Sequence, residues 1–329
     1  MSNRIKILSI GAMGQQVDEA LAARYDVYRE EVLGLDNIIA AHGQEIAGLV
    51  TRGKIPTNEA LIERLPNLEI ISNFGVGYDA IDVAAAARQG VVVTNTPDVL
   101  NDEMADFTVG LMLATIRCLP QADRFVRTGL WERGNFPLGA SLRGRKVGIA
   151  GMGRIGKVIA KRLEGFDVPV SVFMRRPQPE LRYPHHATLQ SLAEAVDVLI
   201  VVLPGGPGTK HIVDAEILKA LGPNGVLINV ARGSVVDEEA LIEALQTGKI
   251  LAAGLDVFAH EPHVPEALRQ MENVVLLPHI GTATHHTRGL MAQLVIDNVI
   301  SWFDGKGPLT PVAETPVPAH RKMEKAANR

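Results

Sequence analysis

Val147-Gly148-Ile149-Ala150-Gly151-Met152-Gly153-Arg154-Ile155-Gly156 is the stretch whose reading decides the fold. Its apolar start follows the charged segment Arg143-Gly144-Arg145-Lys146 and reads as a strand. Three glycines spaced G-x-G-x-x-G then turn the chain, and Lys157 to Leu163 has the apolar spacing of a helix. In that context each glycine has a task at a dinucleotide site. Gly151 permits the tight turn, Gly153 lets a pyrophosphate approach the backbone, and Gly156 lets the helix pack close to the sheet. The helix N-terminus adds N–H groups and a partial positive charge. A second turn, Ile10-Gly11-Ala12-Met13-Gly14, lacks the full spacing and reads as an ordinary strand-to-helix connection.

The next apolar run, Val168 to Met174, is a second strand. An NAD site usually carries an acid at this strand end, for the ribose hydroxyls. Here the chain reads Met174-Arg175-Arg176-Pro177, with no acid. Guanidiniums with paired donors suit a 2′-phosphate, so NADP(H) is expected in preference to NAD(H). A merely solvated loop is the alternative.

With 329 residues the chain exceeds what one core usually fills, and two domains are expected. Its net charge of −4 suggests no nucleic-acid partner. The single cysteine, Cys118, excludes an internal disulfide and fits a reducing, cytoplasmic setting. No Cys/His pattern suggests a metal. The first residues lead straight into a strand, so no signal peptide is expected, and no apolar run is long enough to span a bilayer.

Strands at Ile5–Ile10, Ala47–Thr51, Leu68–Phe74 and Val91–Val93 alternate with helices, one starting with a Thr57 cap and one at Asp82. Met104 to Leu119 reads as a long helix crossing between domains, broken at Pro120. Beyond the glycine turn, strands are expected at Asp197–Leu203, Gly225–Val230, Ala252–Phe258 and Asn273–Leu277, then a helix from Thr284 to about Phe303. The tail after Pro311 is polar and expected to fray. The fold class is therefore α/β, with two doubly wound, parallel, Rossmann-like sheets and an interdomain cleft. The expected domains are residues 1–100, completed by 287–329, for substrate, and residues 101–286 for the nucleotide.

Open parallel sheets bind ligands beyond the carboxyl ends of their strands. Leu203 and Pro204 end one strand at that edge. The loop Phe74-Gly75-Val76-Gly77-Tyr78-Asp79 ends another; amides of Val76 and Gly77 would seat a small carboxylate, unless the glycines serve only the turn. Three successive strands end in Arg232, Glu261 and His279. Arg232 suits a keto acid's carboxylate and carbonyl. His279 suits the general acid that protonates the new alkoxide, because imidazole titrates near neutrality. Glu261 suits a carboxylate that orients that imidazole. Each has a bland alternative: a structural ion pair, a solvated acid, a capping or core histidine. Their shared edge favours one site; His260, His263, His285 and His286 are weaker candidates. Asp256, in an apolar run, needs a partner if buried, and a nicotinamide carboxamide would serve.

At this point the chain resembles the D-isomer-specific 2-hydroxyacid dehydrogenases, especially the glyoxylate/hydroxypyruvate and hydroxyphenylpyruvate reductases. The matching stretches are Asn73 to Asp79, Asn95 to Leu100, Gly151 to Gly156, Asn229 to Gly233, Gly254 to Phe258, Glu261-Pro262 and Leu277 to Gly281. The resemblance implies Arg232, Glu261 and His279 as the catalytic set, and Val76, Gly77 and Arg52 among the substrate contacts. It implies cofactor contacts at Met152, Gly153, Arg154, Ile155, Met174, Arg175, Arg176, Val230, Ala231, Arg232 and Asp256, with His279 and Gly281 beside them. It places Thr51-Arg52-Gly53-Lys54 along the substrate pocket. It further implies a homodimer through the nucleotide domains, with Trp131 as the aromatic that reaches the partner's pocket. The expected reaction is NADPH-dependent reduction of glyoxylate and hydroxypyruvate. The rivals are bulkier keto acids, such as hydroxyphenylpyruvate or 2-ketogluconate, and a non-catalytic corepressor that senses NAD(P).

Overall fold

The computed structural model describes residues 4–52 and 55–315. The expectations that fell on Gly53, Lys54 and the end of the tail lie outside them. The chain divides into two units, Met1–Leu100 with Thr284–Arg329, and Asn101–Ala283. The return to the first unit comes at Thr284 because that residue caps the last helix, accepting the N–H of Thr287 at 3.1 Å.

Unit 1 is built on a parallel sheet of five strands: β1 Lys6–Ile10, β2 Asp26–Arg29, β3 Ile46–Arg52, β4 Ile70–Phe74 and β5 Val92–Thr94. Helices α1 Gln15–Ala22, α2 Glu30–Leu33, α3 Leu35–His42, α4 Glu59–Glu63 and α5 Val83–Arg88 connect them. The strand order is β2-β1-β3-β4-β5, so the chain reverses its direction of travel between β1 and β3. Leu8, Leu49, Ile71 and Val93 of the strands pack with Ile38, Ile62 and Ala86 of the helices. Two readings of this unit are corrected. Asn58, not Thr57, caps α4 and accepts the N–H of Leu61 at 3.1 Å, whereas Thr57 is buried against the 80–82 turn. The strand Asp26–Arg29 went unread; none of its residues is buried, so it carries no apolar signature.

Unit 2 opens with α6 Asn101–Ile116 and α7 Leu119–Arg127. The helix read as a crossover lies wholly within this unit. Arg162 ties it to the helix after the glycine turn through Asp102 at 2.7 Å and Asp106 at 2.6 Å. The sheet follows with β6 Val147–Ala150, β7 Val170–Phe173, β8 His185–His186, β9 Val198–Val201, β10 Val226–Asn229, β11 Ala252–Leu255 and β12 Val274–Leu276. The intervening helices are α8 Arg154–Leu163, α9 Leu189–Ala195, α10 Ala215–Leu221, α11 Glu238–Gln246 and α12 Glu266–Gln270, and α13 His285–Phe303 belongs to unit 1. The strand order is β12-β11-β10-β9-β6-β7-β8, all parallel, with the reversal between β6 and β9. Every residue of β6, β9, β10 and β11 is buried, which explains why these strands read as unbroken apolar runs rather than alternating ones. Among the described residues no helix is long and apolar enough to cross a membrane.

Gly156 closes the β6–α8 connection by contact. A Cβ there would lie 2.0 Å from the carbonyl oxygen of Gly151. Gly156→Ala is therefore expected to destabilise the fold by about 1–3 kcal/mol or more, since the obstruction is backbone. Thermal melting of the variant checks this, and an unchanged midpoint contradicts it.

Candidate active site

The reversal between β6 and β9 opens a crevice at the carboxyl edge of the second sheet, where such folds place ligands. Gly151, leaving β6, has φ +110°, and a Cβ on it would strike the carbonyl oxygen of Val202 at 2.7 Å. Leu203 and Pro204 stand across that crevice, braced by a 2.6 Å bond from Thr209 Oγ1 to the Pro204 carbonyl. Gly153 differs from its two companions. A Cβ there would meet no protein atom within 4 Å, so its bareness leaves open space. Helices α9, α10 and α11 are capped by Thr188, Asp214 and Asp237, whereas α8 starts at Gly153 with no side-chain cap. Arg154 is exposed and Ile155 half-buried at the start of this helix, which has no side-chain cap, as a pyrophosphate seat requires.

At the end of β7, Arg175 and Arg176 are exposed and make no ion pair or hydrogen bond among the described residues. No acid stands beside them in the chain, and the residues present fit a phosphorylated ribose better than a bare one. Met152, Met174, Val230 and Ala231 are buried, so what they offer a ligand is backbone.

Arg232, Glu261 and His279 follow β10, β11 and β12, which are neighbours in the sheet. Asn229 shapes the first loop, accepting the N–H of Ala231 at 3.0 Å and donating to the Arg232 carbonyl at 3.1 Å. Gly233 lets that loop lie on the next one, for a Cβ there would sit 1.9 Å from the carbonyl carbon of Phe258. The second loop turns back on itself, with the N–H of Phe258 bonded to Glu261 Oε1 at 3.3 Å. The two Glu261 oxygens lie 2.9 and 3.0 Å from His279 Nδ1. The Glu261 carboxylate thus accepts a hydrogen bond from Nδ1–H and leaves Nε2 as the working nitrogen. His279 itself adopts φ +56°, a left-handed conformation costly for a side-chain-bearing residue.

Asp256 stabilises that conformation. Its carboxylate is buried, accepting the N–H of Ile280 at 2.8 Å and of Gly281 at 3.0 Å, the two residues after His279. The partners that a buried acid demands are therefore in the chain, where the sequence suggested a nicotinamide carboxamide. Burial pushes the Asp256 carboxyl up; the two amides and His279 oppose the shift, and Glu261 adds to it. Gly281 sits against Met104 and Asp256 with no room for a side chain.

In unit 1 the loop after β4 presents its amides. The Gly75 carbonyl accepts from Thr96 N and Asn73 Nδ2, both at 3.0 Å. The Val76 carbonyl accepts from Asn95 Nδ2 at 2.9 Å, and that of Gly77 from Asn73 Nδ2 at 3.1 Å. With all three carbonyls engaged, the N–H groups of Val76 and Gly77 have no partner among the described residues. This is the geometry of an anion seat. Asn73 and Asn95 fall in stretches that the sequence singled out, but their bracing of this loop was not read there, although an asparagine two residues before a Gly-x-Gly turn is a usable signal. Arg52 ends β3 and donates to the Ala12 carbonyl at 2.9 Å. Trp131 is exposed, in unit 2.

The model of the D-isomer specific 2-hydroxyacid dehydrogenase, NAD binding domain, matches residues 109–281. The chain is 44% identical to glyoxylate/hydroxypyruvate reductase A HPR2 of Arabidopsis thaliana over 94% of its length and 99% of the relative's. It is 43% identical, with the same coverage, to hydroxyphenylpyruvate reductase of Plectranthus scutellarioides. Among solved structures it is similar to an NADPH-dependent glyoxylate/hydroxypyruvate reductase of Sinorhizobium meliloti, in complex with NADP and malonate. That likeness has a TM-score of 0.91 at 50% identity, over 95% of this chain and 98% of the other.

The environment of Asp256 sets a testable sign. Its folded pKa lies above the ordinary value, so its favourable contribution is present below the ordinary aspartate range and is lost as pH rises through the folded value. The melting temperature of the wild-type chain minus that of Asp256→Asn is therefore expected to fall as pH rises above about 4. A difference that widens with pH contradicts this account of the carboxylate.

Proposed function

The chain belongs to the D-isomer-specific 2-hydroxyacid dehydrogenases, and we propose that it is an NADPH-preferring reductase of small 2-keto acids, glyoxylate and hydroxypyruvate first, yielding D-2-hydroxy acids. The observation that carries this reading is the Glu261–His279 pair on the sheet edge that also holds the Gly151–Gly156 turn.

The residues divide the work as follows. The turn from Gly151 to Gly156, with Arg154 and Ile155, holds the pyrophosphate, and Arg175 and Arg176 hold the 2′-phosphate. When bound, the reduced nicotinamide supplies a hydride to the keto carbon. Amides of Val76 and Gly77 seat the substrate carboxylate. The Arg232 guanidinium polarises the carbonyl oxygen through planar paired donors. Glu261 balances the His279 imidazolium before the transfer; His279 then gives its Nε2 proton to the oxygen, becomes neutral, and is reprotonated from solvent for the next turnover. Asp256 is a positioning residue in this scheme, since it fixes the backbone beyond His279.

The near-equal likeness to a hydroxyphenylpyruvate reductase favours a second reading, in which the substrate's far end is bulkier. The full set of Arg232, Glu261 and His279 supports catalysis over a purely sensing role. The single cysteine supports a cytoplasmic setting. Exposed Leu119, Val126, Leu130, Trp131 and Leu138 form an apolar run on unit 2. That run supports a homodimer through this unit, with Trp131 as the residue offered to the partner.

His279→Ala is expected to lower kcat about 10²–10⁴-fold while the Kd for NADPH changes by no more than about threefold. Stopped-flow turnover and fluorescence titration measure the two, and equal losses would mark a structural histidine. Replacing Arg175 and Arg176 together by serine is expected to raise the KM for NADPH about tenfold or more, with little effect on NADH. An unchanged preference between the two coenzymes contradicts the assignment of the 2′-phosphate.

A further inference from the structure

Arg52 and Arg288 are brought to one aromatic ring. The guanidinium carbon of Arg52 lies 5.4 Å from the centroid of Phe74, and that of Arg288 lies 5.6 Å from the same centroid. Phe74 is buried and both arginines are half-buried. Neither forms an ion pair with an acid among the described residues, and Arg52 spends one N–H on the Ala12 carbonyl. Two like charges sharing one partly desolvated spot repel each other. Burial, and after it the field of Arg52, favours the neutral form of Arg288.

Arg288 stands at the start of α13, the end of a helix that favours anions, and no acid occupies that first turn. Arg52 is the last residue of β3, beside the reversal of strand order between β1 and β3, where open parallel sheets receive ligands. Phe74 immediately precedes Gly75, the first residue of the loop whose amides at Val76 and Gly77 have no partner among the described residues. The ring faces of aromatics hold guanidiniums in place without neutralising them. The pair is therefore oriented but unbalanced, and a bound anion would supply the missing charge.

We propose that Arg52 and Arg288, held over Phe74, form a second anion subsite, so that the enzyme also takes 2-keto acids whose far end carries another carboxylate or a comparable anionic group. The inference rests on the substrate seat described under Proposed function, with the keto acid's own carboxylate on the Val76 and Gly77 amides. The second group then lies on the Phe74 side of that seat and accepts paired hydrogen bonds from the guanidiniums.

Oxaloacetate and 2-oxobutanoate are four-carbon keto acids that differ at the terminal group, and NADPH oxidation by the full chain compares them. In the wild type, kcat/KM for oxaloacetate is expected to exceed that for 2-oxobutanoate about tenfold or more, the scale of a charge-assisted bond. Arg288→Met is expected to cut that ratio about tenfold, and Arg288→Lys to retain part of it. A wild-type ratio near one, or a ratio unmoved by Arg288→Met, overturns the subsite and leaves the reductase reading standing. A second readout needs neither turnover nor the keto group. Succinate is expected to raise the melting temperature of the wild type more than butyrate does, and this advantage disappears in Arg288→Met. Equal shifts by the two acids overturn the subsite. Should neither keto acid be reduced while the succinate advantage persists, the subsite stands and the reductase reading falls.

Discussion

A single buried carboxylate governs the edge on which the candidate site is built. Asp256 leaves β11 and binds the backbone amides of Ile280 and Gly281 beyond β12, which holds His279 at a positive φ. Glu261, from the same β11 loop, then meets the imidazole at Nδ1. On the other side Gly233 lets the Arg232 loop lie directly on Phe258. Three loops from three adjacent strands are thus interlocked by backbone contacts and one acid. Such rigidity is what catalysis asks of a site, because pre-positioned groups need no ordering when the substrate arrives.

The desolvation cost of that carboxylate is partly offset by groups of the chain itself, whereas other polar groups are left to a ligand. The helix α8 starts without a side-chain cap, and among the described residues the N–H groups of Val76 and Gly77 and the guanidiniums at Arg175 and Arg176 have no protein partner. Helices α9, α10 and α11 of the same unit are capped by Thr188, Asp214 and Asp237, which sets the bare start of α8 apart from these three. Every one of these groups favours negative charge, which matches an anionic coenzyme and an anionic acid.

Much of this was legible in the sequence, for identifiable reasons. Strands buried on both faces are continuous apolar runs, so β6, β9, β10 and β11 and the residues just past them stood out. The glycine turn combined spacing with context, and the structure separates its roles by sterics: Gly151 and Gly156 face backbone, while Gly153 faces open space. Edge elements were silent, because β2 exposes all its residues partly and β8 is only two residues long. The cap of α4 went to Asn58 because two capping residues stood side by side and only backbone geometry chooses between them. Partners distant in sequence were the least accessible. The need of Asp256 for a partner could be read, but not that amides 24 and 25 residues further on would meet it. Arg288 carried a local clue, a cation at the wrong end of a helix, that becomes meaningful only once Phe74 and Arg52 are seen beside it.

In the proposed reaction the guanidinium of Arg232 and the imidazole of His279 serve one bound acid next to the coenzyme. A crystal structure with NADP and oxamate, an unreactive keto-acid analogue, tests this most directly. The account predicts His279 Nε2 and the Arg232 guanidinium within hydrogen-bond distance of the same oxamate molecule, with the nicotinamide ring alongside. Side chains of Arg232 and His279 directed into separate cavities would contradict it.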